Sequence, residues 1–353
     1  MLVNNKHYRT VWMENDVVKM INQPLIPHRF EIIDLKDYNE TAQAIKTMIV
    51  RGAGAIGATG GYGIAQAALQ AHDSGFMNYV NKAAEILRAT RPTAHDLFYA
   101  IDRVMKRINE NQNNPIKARE EAVREAQAIA DEGASAGEKI GEFGAELIKD
   151  GFRILTHCNA GWLAFVDWGS ALSPIFKAKR QGKKVFVYVD ETRPRMQGAR
   201  LTAWELVNEG IDHAIIADNA AGYYMRKGSI DMVIVGTDRT VARDGSVANK
   251  IGTYTKAVLA KENGIPFYVA APTSTIDFKL ESGKQIPIEE RHEDEVLKMF
   301  GLNNSGGVEK IRIAPEGSRA KNPAFDVTSA KYITGIITEK GIFKPSELMQ
   351  LKP

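Results

Sequence analysis

The stretch DGFRILTHCNAG, residues 150–161, decides how the second half of the chain folds. Asp150-Gly151 is a turn signal, Phe152 to His157 is a short apolar run, and Cys158, the only cysteine of the chain, closes it just before Asn159-Ala160-Gly161. Similar runs recur downstream at Val185 to Val189, His213 to Ala217, Met232 to Val235 and Phe267 to Ala271, with helical segments between them. Short apolar runs spaced by helices are what a parallel sheet covered on both faces produces. The spacing predicts a doubly wound α/β domain. Gly210, Gly228 and Gly264 each stand a few residues before a predicted strand, where helix C-caps belong.

Upstream the rhythm is different. Thr10 to Trp12, Val17 to Ile21 and Phe30 to Leu35 alternate apolar and polar residues and predict a small strand-rich lead-in. From Asp37 to about Ile148 the spacing is helical, broken by RGAGAIGATGGYG and by RPTAHD, where Pro92 opens a helix and Asp96 falls in its first turn. A length of 353 residues fits two structural parts. These are read as a mainly helical N-terminal domain over 1–135 and a doubly wound domain over 136–353. Leu280 to Asn304 is polar enough to be an insertion or a mobile loop.

Composition excludes several classes. With 44% hydrophobic and 25% charged residues the chain is an ordinary globular sequence. Its net charge is +3, and no basic tract suited to phosphate backbones stands out beyond the short Lys177 to Lys184 helix end, so a nucleic-acid partner is not expected. The start MLVNNKHYRT lacks a signal-peptide pattern, and no run of about 18 apolar residues occurs, so no membrane partner and a cytoplasmic location are expected. One cysteine forms no intramolecular disulfide, and the ligand spacing of a thiol zinc site is missing.

Ligands of an open parallel sheet collect beyond the carboxyl ends of its strands, so the residues closing each run carry the argument. Cys158 sits at one such edge. Backbone N–H groups in the following turn would lower a thiol pKa, whereas a buried inert cysteine fits the same position. Asp238 closes MVIVGTD; it suits a cap or a partner for Arg239, or a carboxyl group kept protonated by an apolar pocket. Arg51-Gly52-Ala53-Gly54 follows one helix and opens the next, so small residues let an anion approach helix N–H groups while Arg51 supplies a charged fork. The glycines do not match the strand-first dinucleotide fingerprint, and no phosphate loop ending in Gly-Lys-Ser or Gly-Lys-Thr occurs. Asn249-Lys250 opens the helical segment IGTYTKAVLA, placing an amide and an ammonium near a helix start. His157 reads as a packed or hydrogen-bonded neighbour, with no ligand-spaced partner, so no metal is assigned.

Taken together and in this order, RGAGAIG, TRPTAHDLF, ILTHCNAG, DETRPRMQGARLTAWEL, VGTDRTVARDGSVANKIGTYTKAVLA, IPIEER and APEGSRAKNPAFDVT resemble the methylthioribose-1-phosphate isomerase family of methionine salvage. Coverage runs from about residue 5 to about residue 345. The resemblance implies a helical domain on a Rossmann-like domain, a homodimer and no cofactor. It implies conversion of S-methyl-5-thioribose 1-phosphate to its ribulose isomer, with Cys158 and Asp238 catalytic and Arg51, Gly52, Ala53, Arg91, Gln197, Asn249 and Lys250 binding substrate. Relatives of the same fold isomerise other 1-phosphorylated pentoses, such as 5-deoxyribose 1-phosphate or ribose 1,5-bisphosphate, and others are non-catalytic regulatory subunits of the guanine-nucleotide exchange factor of translation initiation.

Two departures from the family pattern stand out. Gly54 replaces the proline of RGAPAIG, and Trp162, joined by Trp168, stands where small residues are usual. Two indoles at the catalytic edge either reshape the pocket for an apolar 5-substituent or pack the core.

Overall fold

A helix rich in glycine and alanine organises the first of two units into which the chain divides. One unit comprises Met1–Pro24, Phe30–Glu138 and Trp162–Gly169; the other comprises Leu25–Arg29, Lys139–Gly161 and Ser170–Pro353. The structure is a computed structural model that describes residues 1–92 and 94–352. Thr93, inside the TRPTAHDLF block, and Pro353 lie outside the described residues.

In the first unit, β1 (Leu2–Val3) pairs with β2 (Lys6–His7), and β3 (Val11–Glu14), β4 (Val17–Ile21) and β5 (Ile32–Leu35) form an antiparallel sheet. Then come α1 (Tyr38–Lys46), α2 (Ala53–Gln70), α3 (Phe76–Thr90), α4 (His95–Glu110) and α5 (Pro115–Glu146). Asp37 caps α1, its carboxylate accepting from the Asn39 and Glu40 amides at 2.8 and 2.9 Å. The glycine-rich stretch read as a break is instead the body of α2. Glycine in a helix interior costs about 1 kcal/mol relative to alanine. Here it permits close packing: a Cβ at Gly57 would lie 2.9 Å from the Asp96 carbonyl oxygen, and one at Gly60 would lie 2.5 Å from Leu97 Cδ1. Tertiary approach of α4 overrides local propensity.

The second unit contains β6 (Phe152–Thr156), β7 (Val185–Asp190), β8 (Asp212–Ile216), β9 (Met232–Val235), β10 (Arg239–Val241), β11 (Val247–Lys250), β12 (Phe267–Ala270), β13 (Ile276–Asp277), β14 (Lys298–Leu302), β15 (Val308–Arg312), β16 (Phe325–Thr328), β17 (Gly335–Thr338) and β18 (Gly341–Phe343). The main sheet has the order β18-β17-β12-β9-β6-β7-β8, parallel except for the β17–β18 hairpin. Helices α6 (Ser173–Arg180), α7 (Ala203–Asn208), α8 (Ala221–Arg226) and α9 (Thr253–Glu262) connect its parallel strands. All four residues of β9 are buried, which is why these strands read as continuous apolar runs. Gly210, Gly228 and Gly264 take left-handed φ of 62°, 64° and 67° just past α7, α8 and α9. A second sheet, β13-β10-β11-β16, follows directly from β9.

Two segments differ from their sequence reading, while the division expected between 135 and 136 lies three residues from the division between Glu138 and Lys139, both inside the continuous helix α5. Residues 162–169 belong with the helical unit, where Thr10 Oγ1 donates to the Trp162 carbonyl and Gln23 Nε2 to that of Leu163, both at 2.7 Å. The Leu280 to Asn304 insertion is structured: it holds α10 (Asp294–Leu297) and β14, which pairs antiparallel with β15.

Candidate functional site

The order of the main sheet reverses between β6 and β9. From β6 the chain winds outward through β7 and β8, then returns to β9 on the other side of β6 and continues to β12. At such a switch point the loops leaving adjacent strands diverge and open a crevice. Cys158 leaves β6 and Asp238 leaves β9, and these strands are parallel neighbours in the register Ile154↔Met232 and Leu155↔Val233. The loops touch: a Cβ on Gly236 would lie 2.5 Å from that of Ala160. Cys158 and Asp238 therefore share one edge of one sheet. Cys158 is half-buried with a left-handed φ of 67°, a conformation uncommon outside glycine and asparagine.

The ribbon after β9 adds the next two residues. Asp238 N–H donates to the Ala248 carbonyl at 3.0 Å, next to Asn249 and Lys250. Those two end β11 rather than opening a helix; Ile251-Gly252 turns the chain, and α9 starts at Thr253. Asn249 Nδ2 donates to Thr253 Oγ1 at 3.0 Å. Lys250 Nζ donates to the Ala324 carbonyl at 2.8 Å and lies 4.7 Å from the centre of the Phe325 ring. Burial pushes the Lys250 ammonium down to about 8; the charge of Cys158 opposes this, Arg291 adds to it, and Asp238 and Glu295 oppose it. Thiol and carboxyl thus both stand within electrostatic reach of the ammonium.

Two more groups complete this side. Gln197, which precedes the π-turn Gly198–Thr202, is buried and its Oε1 meets no hydrogen-bond partner among the described residues. A buried amide oxygen without a donor is costly, and a substrate hydroxyl would satisfy it. Glu295 in α10 was missed in the sequence reading. Burial alone would raise its pKa, yet Arg291 and Arg195 hold it down to about 2, with Nη–Oε1 distances of 2.6 and 3.0 Å. The only sequence signal was Arg291, the last residue of IPIEER.

His157 is packed as expected, but carboxylates do stand near it. Ligand atoms of His157, Asp190 and Asp218 lie within 4.8 Å of one another. Spacing along the chain concealed them, since they come from the ends of β6, β7 and β8. Their bonds are those of a structural ion cluster. His157 Nδ1 meets Asp190 Oδ2 at 2.8 Å, Nε2 meets the Ile251 carbonyl at 2.8 Å, and Lys256 Nζ sits 3.1 Å from the same Asp190 oxygen. Both Asp218 oxygens accept backbone amides, from Thr192 and Arg193, at 2.7 Å. Both imidazole nitrogens and three of the four carboxylate oxygens are therefore in use.

The remaining predicted residues lie in the helical unit. Gly52 caps α2 with φ of 96°, and a Cβ there would stand 2.4 Å from the Ala164 carbonyl oxygen, so only glycine fits. Arg51 and Ala53 flank it at the N-terminus of an 18-residue helix, where N–H groups favour an anion. Arg91 ends α3, and the Asp96 segment that follows runs beside the first turns of α2 at Gly57. A Cβ at Gly54 would lie 2.5 Å from Phe165 Cδ1, so the ring occupies the space that the usual proline would need. Trp162 is fully buried, as core packing requires.

A doubly wound sheet that gathers a thiol, a carboxyl group and a buried ammonium at its switch point has the groups that an enzyme acting on a small anionic substrate uses. The Initiation factor 2 subunit family model matches residues 49–345. A methylthioribose-1-phosphate isomerase of Acetivibrio thermocellus is 51% identical, over 94% of this chain and 95% of that one. Among solved structures, 5-methylthioribose 1-phosphate isomerase from Pyrococcus horikoshii superposes with a TM-score of 0.87 at 45% identity, covering 98% of this chain and 97% of that one. The translation initiation factor eIF-2B subunit delta from A. fulgidus does so with 0.83 at 42% identity, covering 97% and 98%. The chain belongs to the Initiation factor 2 subunit family and, within it, to the methylthioribose-1-phosphate isomerases.

Proposed function

We propose that this protein converts S-methyl-5-thioribose 1-phosphate to S-methyl-5-thioribulose 1-phosphate, with Cys158 and Asp238 acting on the sugar. The observation that carries this reading is the convergence of Cys158 and Asp238 at the β6–β9 switch point, with buried Lys250 within electrostatic reach of both. Burying an ammonium beside a thiol carries a desolvation penalty that an anionic ligand would offset, which favours a binding role over a scaffold.

The phosphate on the anomeric oxygen blocks simple opening to a free aldehyde, so the C1–O4 bond must break with a proton delivered to O4. Protonated Asp238 supplies that proton. The hydrogen on C2 then moves to C1, and the O2 proton is lost to the site as the ketone forms. One proton is donated and one recovered, so the reaction balances within the substrate and needs no cofactor. Cys158 serves at C1 and C2, either as the base that shuttles the C2 proton or as the polar group that stabilises its passage as hydride. Arg51, the Gly52 and Ala53 amides and Arg91 are assigned to the phosphate and hydroxyl groups, as are Gln197, Asn249 and Lys250.

The test is the rate of product formation from three sugars: the methylthio, 5-deoxy and 5-phospho forms of ribose 1-phosphate. The proposal expects an apolar 5-substituent to be preferred, and a tenfold or greater preference for the 5-phospho sugar, about 1.4 kcal/mol, rejects it. Running the reaction in deuterated water separates the two roles of Cys158. Hydrogen retained at C1 supports hydride passage, and deuterium there supports the base.

A further inference from the structure

We propose that Thr192 and Thr202 are positioning residues for Cys158, their two hydroxyls gripping its peptide from both sides and holding the thiol in its left-handed conformation. This rests on the catalytic reading of Cys158.

The Cys158 N–H donates to Thr192 Oγ1 at 2.8 Å, and that hydroxyl passes its own proton to the Asp190 carbonyl at 3.0 Å. On the other side Thr202 Oγ1 donates to the Cys158 carbonyl at 2.8 Å and accepts from Asn159 Nδ2 at 3.2 Å. Each hydroxyl is donor and acceptor at once, so its orientation is fixed. Both threonines are fully buried. The two peptide groups of Cys158 are thus held by side chains from β7's far end and from the π-turn Gly198–Thr202, not by a strand ladder.

Backbone geometry shows that this grip holds against strain. Cys158 sits at φ of 67° and Thr192 at 63°, and a β-branched residue there is a genuine outlier. Strained residues persist only where their surroundings over-determine them, and they cluster at functional sites. Thr192 is over-determined: its N–H and that of Arg193 donate to the two oxygens of Asp218 at 2.7 Å. A chain of hydrogen bonds therefore runs from Asp218 at the end of β8, through Thr192, to the peptide of Cys158. Left-handed φ at Cys158 turns its side chain away from the direction β6 would give it. Releasing either hydroxyl lets the peptide relax toward an extended conformation and moves the thiol. Misplacing a reacting group by about 1 Å costs on the order of 10²-fold in rate.

The experiment measures kcat and KM for Thr192→Val, Thr202→Val, Thr192→Ser and Thr202→Ser, together with the rate at which iodoacetamide alkylates Cys158. Valine keeps the shape and removes the hydroxyl; serine keeps the hydroxyl. The proposal expects kcat to fall on the order of 10²-fold in each valine variant, with KM within about threefold, an altered alkylation rate, and recovery in the serine variants. Valine variants turning over within threefold of the native enzyme, or serine variants that fail to recover, overturn it. Should a valine variant fail to fold, Asp218→Asn applies the same test through the Thr192 amide, and unchanged kcat there overturns the Thr192 arm. Cys158→Ser is the control: if it retains native turnover the catalytic reading fails, whereas an inactive Cys158→Ser beside fully active valine variants sinks only the positioning role.

Discussion

The start of α2 and the β6–β9 edge are built by opposite means. At the start of α2 everything is small. Gly52 fits because a Cβ would strike the Ala164 backbone, Gly54 because Phe165 fills the space beside it, and Gly57 because Asp96 passes close by. At the β6–β9 edge the polar residues are charged, buried or strained: Lys250 in the interior, Cys158 and Thr192 at positive φ, and the His157–Asp190–Lys256 cluster behind them. The first region spends helix propensity to bring backbone N–H groups forward. The second spends desolvation and backbone strain to hold reactive side chains.

The largest expected effect lies at the charged edge. Asp238→Asn keeps the shape and removes the transferable proton, so kcat should fall by about 10³-fold, ~4 kcal/mol in the barrier, while the melting temperature changes little. A steady-state assay beside a thermal melt checks it, and turnover within tenfold of the native enzyme would remove Asp238 as the acid. Next comes Gly52→Ala in the small-residue region. Its φ of 96° and the 2.4 Å approach of the Ala164 oxygen leave no room for a methyl group, and the unit containing α2 should lose about 3–4 kcal/mol in a denaturant titration.

Lys250→Met separates the two regions by sign. The ammonium sits at about 8 in the folded chain against a reference of 10.5, so between those values the unfolded chain binds more protons and stability rises with pH. Below pH 8 the buried charge costs about 3 kcal/mol, which methionine removes. The variant should be more stable at pH 7, show a flatter stability profile between pH 8 and 10.5, and bind the phosphosugar poorly. A variant less stable than the native chain at pH 7 would mean that the ammonium stabilises the fold. The smallest effect is Gly54→Ala, where Phe165 must shift by a fraction of an ångström; about 1–2 kcal/mol is expected, recovered by trimming Phe165 to leucine in the same chain. Failure of that double variant to recover would leave the Gly54–Phe165 exchange unsupported.

The sequence carried the parallel strands and the residues that close them because each apolar run is local and uninterrupted. Cys158 and Asp238 were legible for that reason: position at a strand end is a property of the run itself. Pairing was not local. That β6 lies beside β9, and so brings these two residues together, depends on strand order, which no window of sequence contains. The carboxylates near His157 were missed because they arrive 33 and 61 residues later, from β7 and β8. Asn249 and Lys250 were placed at a helix start because IGTYTKAVLA has helical spacing, whereas their pairing with Asp326 and Phe325 of β16 makes them strand. The glycines of α2 read as a break because propensity was counted and the close approach of α4 was not visible. Leu280 to Asn304 read as an insertion or a mobile loop because it is polar, and its strand β14 leaves Phe300 and Leu302 exposed.

Since Cys158 is the only thiol, one chemical titration reports on the central claim. Iodoacetamide should inactivate the enzyme in one-to-one proportion to carbamidomethylation at Cys158, and S-methyl-5-thioribose 1-phosphate should protect both the thiol and the activity. A fully carbamidomethylated protein that still turned over at the native rate would contradict the account.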